Sequence, residues 1–321
     1  MTDNGAKIIT QRKAERASAL SALITLAALA LTLLLTLLLS EEISDSVRGA
    51  LELCAGVIVP SVFPFIILSD ILYYLVDFSG MRGVGRAFER LFKINRAGLY
   101  PFVLGILCGF PLGVKCASEL YKDGRISKDE CERLIGFCNN TGPAFLVGGI
   151  GVGLRGSIFD GVALYLSTVI SAIAVGIIFS RGATASADKK GMEARARFSV
   201  TASVKSAGTG CLNICSYLTF FACIAGIARA VLGDGIPYLC IIPFLEVGGA
   251  ADILSKSPLL GSTASLALSA FAVGFSGFSV HLQALSYLSD TNVGVGRYFI
   301  MKLIQGLIAA ALTAALYILY N

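Results

Sequence analysis

Three interruptions of apolar sequence carry the residues that could do chemistry in this 321-residue chain. They are Gly109–Pro111, Asn139–Pro143 and the run GFSGFS at 274–279, with Lys115 shortly after the first and His281 shortly after the third. Glycine and proline interrupt helices, and proline suits the first position of a new one. Each restarting helix presents unpaired N–H donors and a partial positive charge. These positions therefore predict a site for a small anion, such as a carboxylate.

Each feature also has a purely structural interpretation. Gly105, Gly109 and Gly113 recur every four residues, a spacing that lets membrane helices pack closely. Lys115 lies one turn before Glu119 and is placed to form an ion pair with it. The histidine also fits a neutral core residue, and the two asparagines of the second interruption fit hydrogen bonds between helices. The coincidence of three interruptions with an internal repeat favours a site over these separate explanations.

The elements that position these residues are membrane helices. Hydrophobic residues make up 55% of the chain and charged residues 15%, whereas a soluble domain has about a quarter charged. Apolar stretches of about 20 residues suit helices that cross a bilayer. They cover residues 49–77, 98–120, 131–154, 158–179, 208–232, 236–254, 258–288 and 296–320. An earlier run, 20–40, follows a basic flank without a cleavage pattern, which predicts a retained anchor with a cytoplasmic N-terminus.

Basic residues set the predicted topology. They cluster in 82–96 and in the linker 181–205, which predicts that both lie in the cytoplasm. Three apolar segments lie between them, an odd number that does not return the chain to the same side. The conflict disappears when 98–120 enters the membrane and returns as a re-entrant helical hairpin that turns at Gly109–Pro111. Residues 80–96, where apolar and basic residues are interleaved, predict a helix lying in the membrane interface.

An internal repeat links the two halves of this predicted all-α polytopic membrane protein. ILCGFPLGVKCASELYKD from Ile106 resembles AVGFSGFSVHLQALSYLSD from Ala272, with Gly-Phe at the break and a basic residue after valine. The repeats start on opposite sides, and inverted repeats with broken helices are typical of secondary transporters. The predicted divisions are 1–46, the N-terminus and anchor; 47–180, a first repeat with hairpin 98–120; 181–205, the basic linker; and 206–321, a second repeat with hairpin 258–288. Whether 236–254 spans the membrane is left open.

The sequence carries no motif for a cofactor, a metal or catalysis. His281 is the only histidine and the nine cysteines form no C-x-x-C pair, so we expect neither a metal site nor a cofactor. GVGLRG at 151–156 follows a membrane segment rather than a strand, which argues against a dinucleotide site. An intramembrane aspartyl protease using Asp70 and Asp252 would lack a paired-aspartate motif. We therefore expect a protein that is not an enzyme and does not bind nucleic acid.

Three stretches resemble the YlbJ-like sporulation integral membrane proteins. They are VPSVFPFIILSDIL at 59–72, GFPLGVKCASELYKDGRISKDECERLIGFCNNTGPAFLVGGIGVG at 109–153, and GFSGFSVHLQALSYLSD at 274–290. This family belongs to the nucleoside-recognition, or Gate, group, which resembles the concentrative nucleoside transporters. The resemblance covers nearly all of residues 47–320. It implies a fold in which hairpin tips and broken helices form the substrate site.

The resemblance also implies a role in endospore formation. The implied substrate is dipicolinate, a flat aromatic dicarboxylate that would cross the outer forespore membrane. Carried onto the matching motifs, the implied substrate-binding residues are Gly109, Phe110, Pro111, Gly113, Lys115, Asn139, Asn140, Thr141, Gly142, Ser276, Gly277, Phe278, Ser279, His281 and Gln283. Phe110, Phe275 or Phe278 would stack on the ring. Outside the resemblance, Lys302 and Arg297 are further candidate cations, although Arg297 also fits an interface anchor.

Two other functions stay open. A member of this group could carry a nucleoside, for which Asp70 is the candidate site of a coupling proton or sodium ion. Asp70 fits a structural partner of a lysine equally well. The chain could instead be a non-transporting assembly protein of the forespore envelope. The predicted partners are a small organic anion, the lipid bilayer and a second copy of the chain.

Overall fold

The structure is a computed structural model that describes residues 21–27, 29–75, 82–186 and 199–320. The basic flank before residue 21 and residues 187–198 of the basic linker lie outside the described residues. The helices are α1 Ser21–Leu38, α2 Ser40–Leu53, α3 Val59–Leu75, α4 Arg82–Phe92, α5 Leu99–Leu107, α6 Leu112–Lys122, α7 Lys128–Cys138, α8 Ile158–Phe179, α9 Val200–Leu232, α10 Ile236–Leu245, α11 Val247–Lys256, α12 Ser262–Phe275, α13 Gly277–Leu288 and α14 Gly296–Tyr320. Two π-helical segments are π1 Cys54–Ile58 and π2 Ala144–Leu154.

The described residues form an all-helical membrane protein, as predicted. Five helical stretches are long and apolar enough to cross a bilayer: α1, α8, α9, α14 and the combined stretch Ser262–Leu288. A sixth candidate span is a bent pair of helices. Its first part is α2 together with π1, its second part is α3, and the two parts meet at 48°. The bend lies where π1 gives way to a helix containing Pro64, and both features interrupt the regular hydrogen-bond ladder.

The first predicted interruption separates α5 from α6, and these two helices pack on each other. Gly109 has φ +87°, a conformation that residues with a Cβ rarely adopt. A Cβ atom on Gly105 would lie 1.7 Å from the Cys138 carbonyl oxygen, and one on Gly113 would lie 2.0 Å from the same oxygen. Both helices therefore contact the backbone of α7 directly. The glycines serve close packing as well as the break.

The second half differs from the predicted hairpin over 258–288. Residues Ser262–Leu288 form one candidate span, interrupted at Ser276, where φ is +79°. The prediction of a hairpin there is wrong: the interruption breaks the helix without folding α13 back onto α12. The tight turn of this half lies instead within 236–254, where α10 and α11 meet at Glu246 and share one buried apolar cluster. At ten residues each, neither α10 nor α11 is long enough to span the bilayer.

Two buried charged side chains of α7 join it to the C-terminus of α4 and to the segments that follow α4 and α8. The guanidinium of Arg133 donates to the Phe92 carbonyl at 2.7 Å and to the carbonyl of the next residue at 2.8 Å. It thereby satisfies carbonyls left free at the C-terminus of α4. Glu130 accepts hydrogen bonds from the Asn95 N–H at 2.7 Å and the Ser186 N–H at 2.9 Å. This α4–α7 junction is held by charged groups that are fully paired.

A weaker contact at the exposed end of α7 gives a pH-dependent prediction. The Asp129 carboxylate accepts hydrogen bonds from Arg297 Nη1 at 2.8 Å and from Arg133 Nε at 2.9 Å. Partial burial acts to raise the pKa of Asp129, but these two hydrogen bonds outweigh it and hold the pKa below its usual range. A carboxyl group with a lowered folded-state pKa stabilises the protein above its unfolded pKa, and this contribution is lost as pH falls through the folded value.

We therefore expect Asp129→Asn to lower the free energy of unfolding at pH 7 by less than about 1 kcal/mol, because the carboxylate is half-exposed and screened by solvent. The difference between the variant and the parent should shrink between pH 7 and about pH 3. Thermal unfolding of both proteins in detergent at the two pH values measures it. A difference of the same size at both would contradict an ionised, hydrogen-bonded Asp129.

Candidate functional site

A cavity of about 170 Å³ lies where four interruptions of the chain meet. One wall consists of the α5–α6 tip, the start of π2, the α10–α11 turn and the first turn of α13. The opposite wall is apolar and comes from α2, π1, α3 and α9. The lining residues of the first wall include Gly109, Phe110, Thr141, Gly142, Pro143, Glu246, Gly248, Ser279, Val280 and Gln283; those of the second are Leu53, Ile58, Val62, Phe65, Ile214 and Leu218.

Four helical segments begin at this cavity: α6, π2, α11 and α13. In three of them, α6, π2 and α13, no side chain caps the N-terminus. The fourth, α11, is capped by Glu246, whose carboxylate accepts hydrogen bonds from the Gly248 N–H at 2.6 Å and from the Gly249 N–H. Helix N-termini carry partial positive charge and free donors. The first wall therefore offers N–H donors from π2 and α13, whose first turns line the cavity, and already holds a carboxylate at the start of α11.

Two buried oxygens beside the cavity have no hydrogen-bond partner among the described residues. They are Thr141 Oγ1 and Gln283 Oε1, on side chains that are 2% and 3% exposed. A buried polar atom left unpaired costs about 1 to 3 kcal/mol. Such atoms in a native protein call for an explanation, and both of these residues line the cavity. A polar ligand in the cavity would provide one.

His281 lies behind the cavity wall rather than in it. Its Nδ1 is 2.8 Å from the Tyr298 hydroxyl, which also accepts a hydrogen bond from Asn139 Nδ2 at 3.1 Å. Because the tyrosine oxygen already accepts from the asparagine, its own proton is available to donate to Nδ1. The contact accommodates either neutral tautomer, with the Tyr298 hydroxyl donating to Nδ1 or accepting from it. The arrangement fits the alternative of a neutral core histidine.

The two asparagines of the second interruption bind α14. Gln305 Nε2 donates to Asn140 Oδ1 at 2.7 Å, and Lys302 Nζ donates to the Asn139 carbonyl and to Gln305 Oε1, both at 2.8 Å. The unwound stretch between α7 and π2 is therefore held in place by polar side chains of the last helix. This agrees with the alternative of hydrogen bonds between helices. Thr141 and Gly142, next along the chain, reach the cavity.

Lys115 lies away from the cavity, in a charge cluster. Its Nζ is 2.5 Å from Asp70 Oδ1 and 3.0 Å from Glu119 Oε1. The predicted alternative of a Lys115–Glu119 ion pair is present, and so is a lysine partner for Asp70. Neither Lys115 nor Asp70 is among the cavity-lining residues. Their roles in binding and in ion coupling stay predictions.

The structure brings six of the predicted binding residues to the cavity and leaves the others outside its lining. Those that line it are Gly109, Phe110, Thr141, Gly142, Ser279 and Gln283; those that do not are Pro111, Gly113, Lys115, Asn139, Asn140, Ser276, Gly277, Phe278 and His281. Sequence reasoning missed Glu246, the one charged residue among the described residues of the lining. The sequence signal for this residue was an acidic side chain in an apolar segment, followed by a valine and two glycines.

The chain is similar to the sporulation integral membrane protein YlbJ of Bacillus subtilis (strain 168). The two are 26% identical over an alignment that covers 85% of this chain and 77% of the relative. No family model matches the chain, and no solved structure gives a significant match. The resemblance to YlbJ-like proteins predicted from the three stretches is confirmed. The chain is an integral membrane protein with a sporulation protein as its relative.

Proposed function

We propose that this YlbJ-like chain is a transporter of a small organic anion, dipicolinate, across the outer forespore membrane during sporulation. The observation that carries the proposal is the cavity at which four helical segments begin, three of them without a side-chain cap. Free N–H donors at helix N-termini are a recurrent anion site. The Thr141 hydroxyl beside them, which has no partner among the described residues, is a further donor for a carboxylate.

The size of the cavity supports a ligand with one ring. Its volume, about 170 Å³, is close to the roughly 150 Å³ of an engineered cavity that binds benzene. Dipicolinate has a single pyridine ring, and its two carboxylates would point toward the helix N-termini. Phe110 in the lining offers an aromatic face for the ring. A nucleoside, which has a base and a sugar, is larger.

The order of elements supports alternating access. The same order of elements occurs twice: two short helices that pack together, then a broken segment, then a long helix. In the first half these are α5–α6, α7–π2 and α8. In the second half they are α10–α11, α12–α13 and α14. This order is what an inverted repeat with one re-entrant hairpin in each half would give, an architecture that the resemblance to the Gate group implies. Substrate sites in inverted-repeat transporters lie where the repeats meet. In this proposal the hairpin tips gate the cavity, with the N-terminus in the cytoplasm.

The membrane potential is enough to drive export of a dianion. Moving two negative charges out of a compartment at −100 mV is favourable by about 4.6 kcal/mol, twice the value for one charge. The proposal therefore needs no coupling ion. Asp70, the predicted coupling residue, already pairs with Lys115, which fits a structural role.

A nucleoside is the second candidate substrate, because Glu246 lines the cavity. A carboxylate repels a dianion but accepts hydrogen bonds from sugar hydroxyls. In this alternative, transport would be driven by a coupled proton or sodium ion. The two candidates differ in charge, so one binding panel separates them.

Ligand-dependent thermal stabilisation of the purified protein tests the proposal. We expect dipicolinate at about 100 times its Kd to stabilise the folded protein by about 2.7 kcal/mol, a shift of roughly 5 °C or more in Tm. Related dicarboxylates should give smaller shifts, and nucleosides none. A shift with nucleosides alone would move the assignment to the second candidate. If no compound shifts Tm and liposomes containing only this chain show no dipicolinate flux, the assembly-protein interpretation replaces transport.

A further inference from the structure

Lys302 differs from the other buried cations of the described chain. Lysine and arginine side chains are buried at Lys115, Arg133 and Lys302. Lys115 pairs with Asp70 and Glu119, and Arg133 pairs with a carboxylate at the end of α7. No carboxylate among the described residues lies within ion-pair distance of Lys302, although this side chain is 0% exposed. Lys302 is therefore the buried basic side chain of the described chain that has no counter-charge.

The surroundings of Lys302 are polar but neutral. Its Nζ donates to the Asn139 carbonyl and to Gln305 Oε1, both at 2.8 Å. The titratable groups that face it from the packed helices are the Cys138 thiol of α7 and the His281 imidazole of α13. Neither supplies a negative charge, because an imidazole is either neutral or cationic and a thiol buried in an apolar core is not ionised. Nothing described on this side of the unwound stretch balances an ammonium charge.

Lys302 is joined to the unwound stretch that continues into the cavity wall. The carbonyl that it binds belongs to Asn139, and Thr141, two residues further along the chain, lines the cavity. A charge in a low-dielectric interior acts over a longer distance than one in water. A buried ion without a partner costs several kcal/mol, and an anion in the cavity would offset part of that cost. Glu246, the acid in the lining, is already bound to the N–H groups of α11.

We propose that Lys302 supplies the charge that determines the specificity of the cavity. Because of this charge, the cavity binds a dianion more tightly than a neutral ligand of the same shape. This inference rests on the proposed function. Lys302 does not touch the ligand in this account. Its positive charge is held in place by the unwound stretch and attracts the anion electrostatically across the cavity wall.

The test compares dipicolinate with pyridine-2,6-dicarboxamide, its uncharged analogue, by calorimetric titration of the full-length protein in detergent. We expect Lys302→Met to weaken dipicolinate binding by about tenfold or more, with less than about a threefold change for the diamide. Lys122→Met removes the same charge from an exposed position on α6 and serves as the matched control. It should leave both affinities unchanged.

A second variant retains the lysine and cancels its charge. Gln305→Glu places a carboxylate where the amide oxygen accepts from Lys302, so it should also lower the ratio of dianion to diamide affinity. This variant keeps the proposal testable if Lys302→Met does not fold. Equal weakening of both ligands by both variants would overturn the proposal, because a purely structural role predicts no change in the ratio. Failure of the parent protein to bind dipicolinate would instead refute the proposed function, and this inference with it.

Discussion

Replacing Gly113 by valine is expected to separate the α5–α6 pair from α7 and to leave little folded protein. A Cβ atom at this position would lie 2.0 Å from the Cys138 carbonyl oxygen and 2.7 Å from its carbon. Both are backbone atoms, so no change of side-chain rotamer relieves the clash. Overpacking a core against mobile side chains costs about 1 to 3 kcal/mol. Here we expect more than about 3 kcal/mol, a large part of the usual 5 to 15 kcal/mol of total stability.

The measurement is the yield of monodisperse protein in detergent and its Tm. Gly208→Val is the matched control, because a Cβ atom on Gly208 would meet nothing within 4 Å. Valine also forms helix more readily than glycine, so the control should fold at least as well as the parent. A Gly113→Val protein with the parent's yield and Tm would show that α6 does not pack on α7 as described.

The combined substitution Thr141→Val and Gln283→Met is expected to abolish ligand binding without destabilising the protein. The Thr141 Oγ1 and Gln283 Oε1 atoms have no partner among the described residues. Replacing an unpaired buried polar group with an apolar one of similar shape is close to neutral or stabilising. The loss of one hydrogen bond to a charged ligand costs about 1.5 to 3 kcal/mol. Both side chains can donate such a bond to a carboxylate, Thr141 through its hydroxyl and Gln283 through its amide NH2 group rather than its oxygen, so their joint loss weakens dipicolinate binding by about 100-fold or more.

The separation of binding from stability is the strength of this experiment. Thr313→Val is the matched control, because Thr313 Oγ1 is also buried and unpartnered but does not line the cavity. Its Tm should change as little as that of the double variant, and its affinity for dipicolinate should equal that of the parent. Titration calorimetry and thermal unfolding measure the two properties. A double variant that loses stability and retains binding would show that both oxygens bond to the protein instead.

Local sequence chemistry predicted where the chain breaks. Gly109, with φ +87°, and Pro143, at the start of π2, are residues whose backbone preferences decide conformation within a few positions. The break at residues 274–279 was also found, although its positive φ falls on both Ser276 and Gly277. Helix existence followed from apolar length alone. These features depend on neighbours in the sequence and can be read from it.

Which helices fold back on one another could not be predicted from local sequence. A hairpin and a broken span are both built mostly of apolar residues, so hydropathy does not distinguish α10–α11 from α12–α13. The sequence similarity between GFPLGV and GFSGFS predicted a hairpin at both places, whereas the first forms the turn between α5 and α6 and the second only interrupts a helix. The Lys115–Glu119 pair was visible at a separation of four, whereas the partner Asp70 lies 45 residues away. Glu246 was missed because its importance comes from the four segments that surround it.

The unwound stretch between α7 and π2 has a consequence for biogenesis. Each of these segments has 11 residues and is about 16 Å long at the α-helical rise, roughly half of the hydrocarbon thickness. The first also carries buried charged residues, which the translocon inserts unfavourably. The partner of the Asn139 carbonyl is supplied by Lys302, 163 residues later. We therefore expect neither segment to be stable in lipid on its own, and their integration into the bilayer to follow the synthesis of α14.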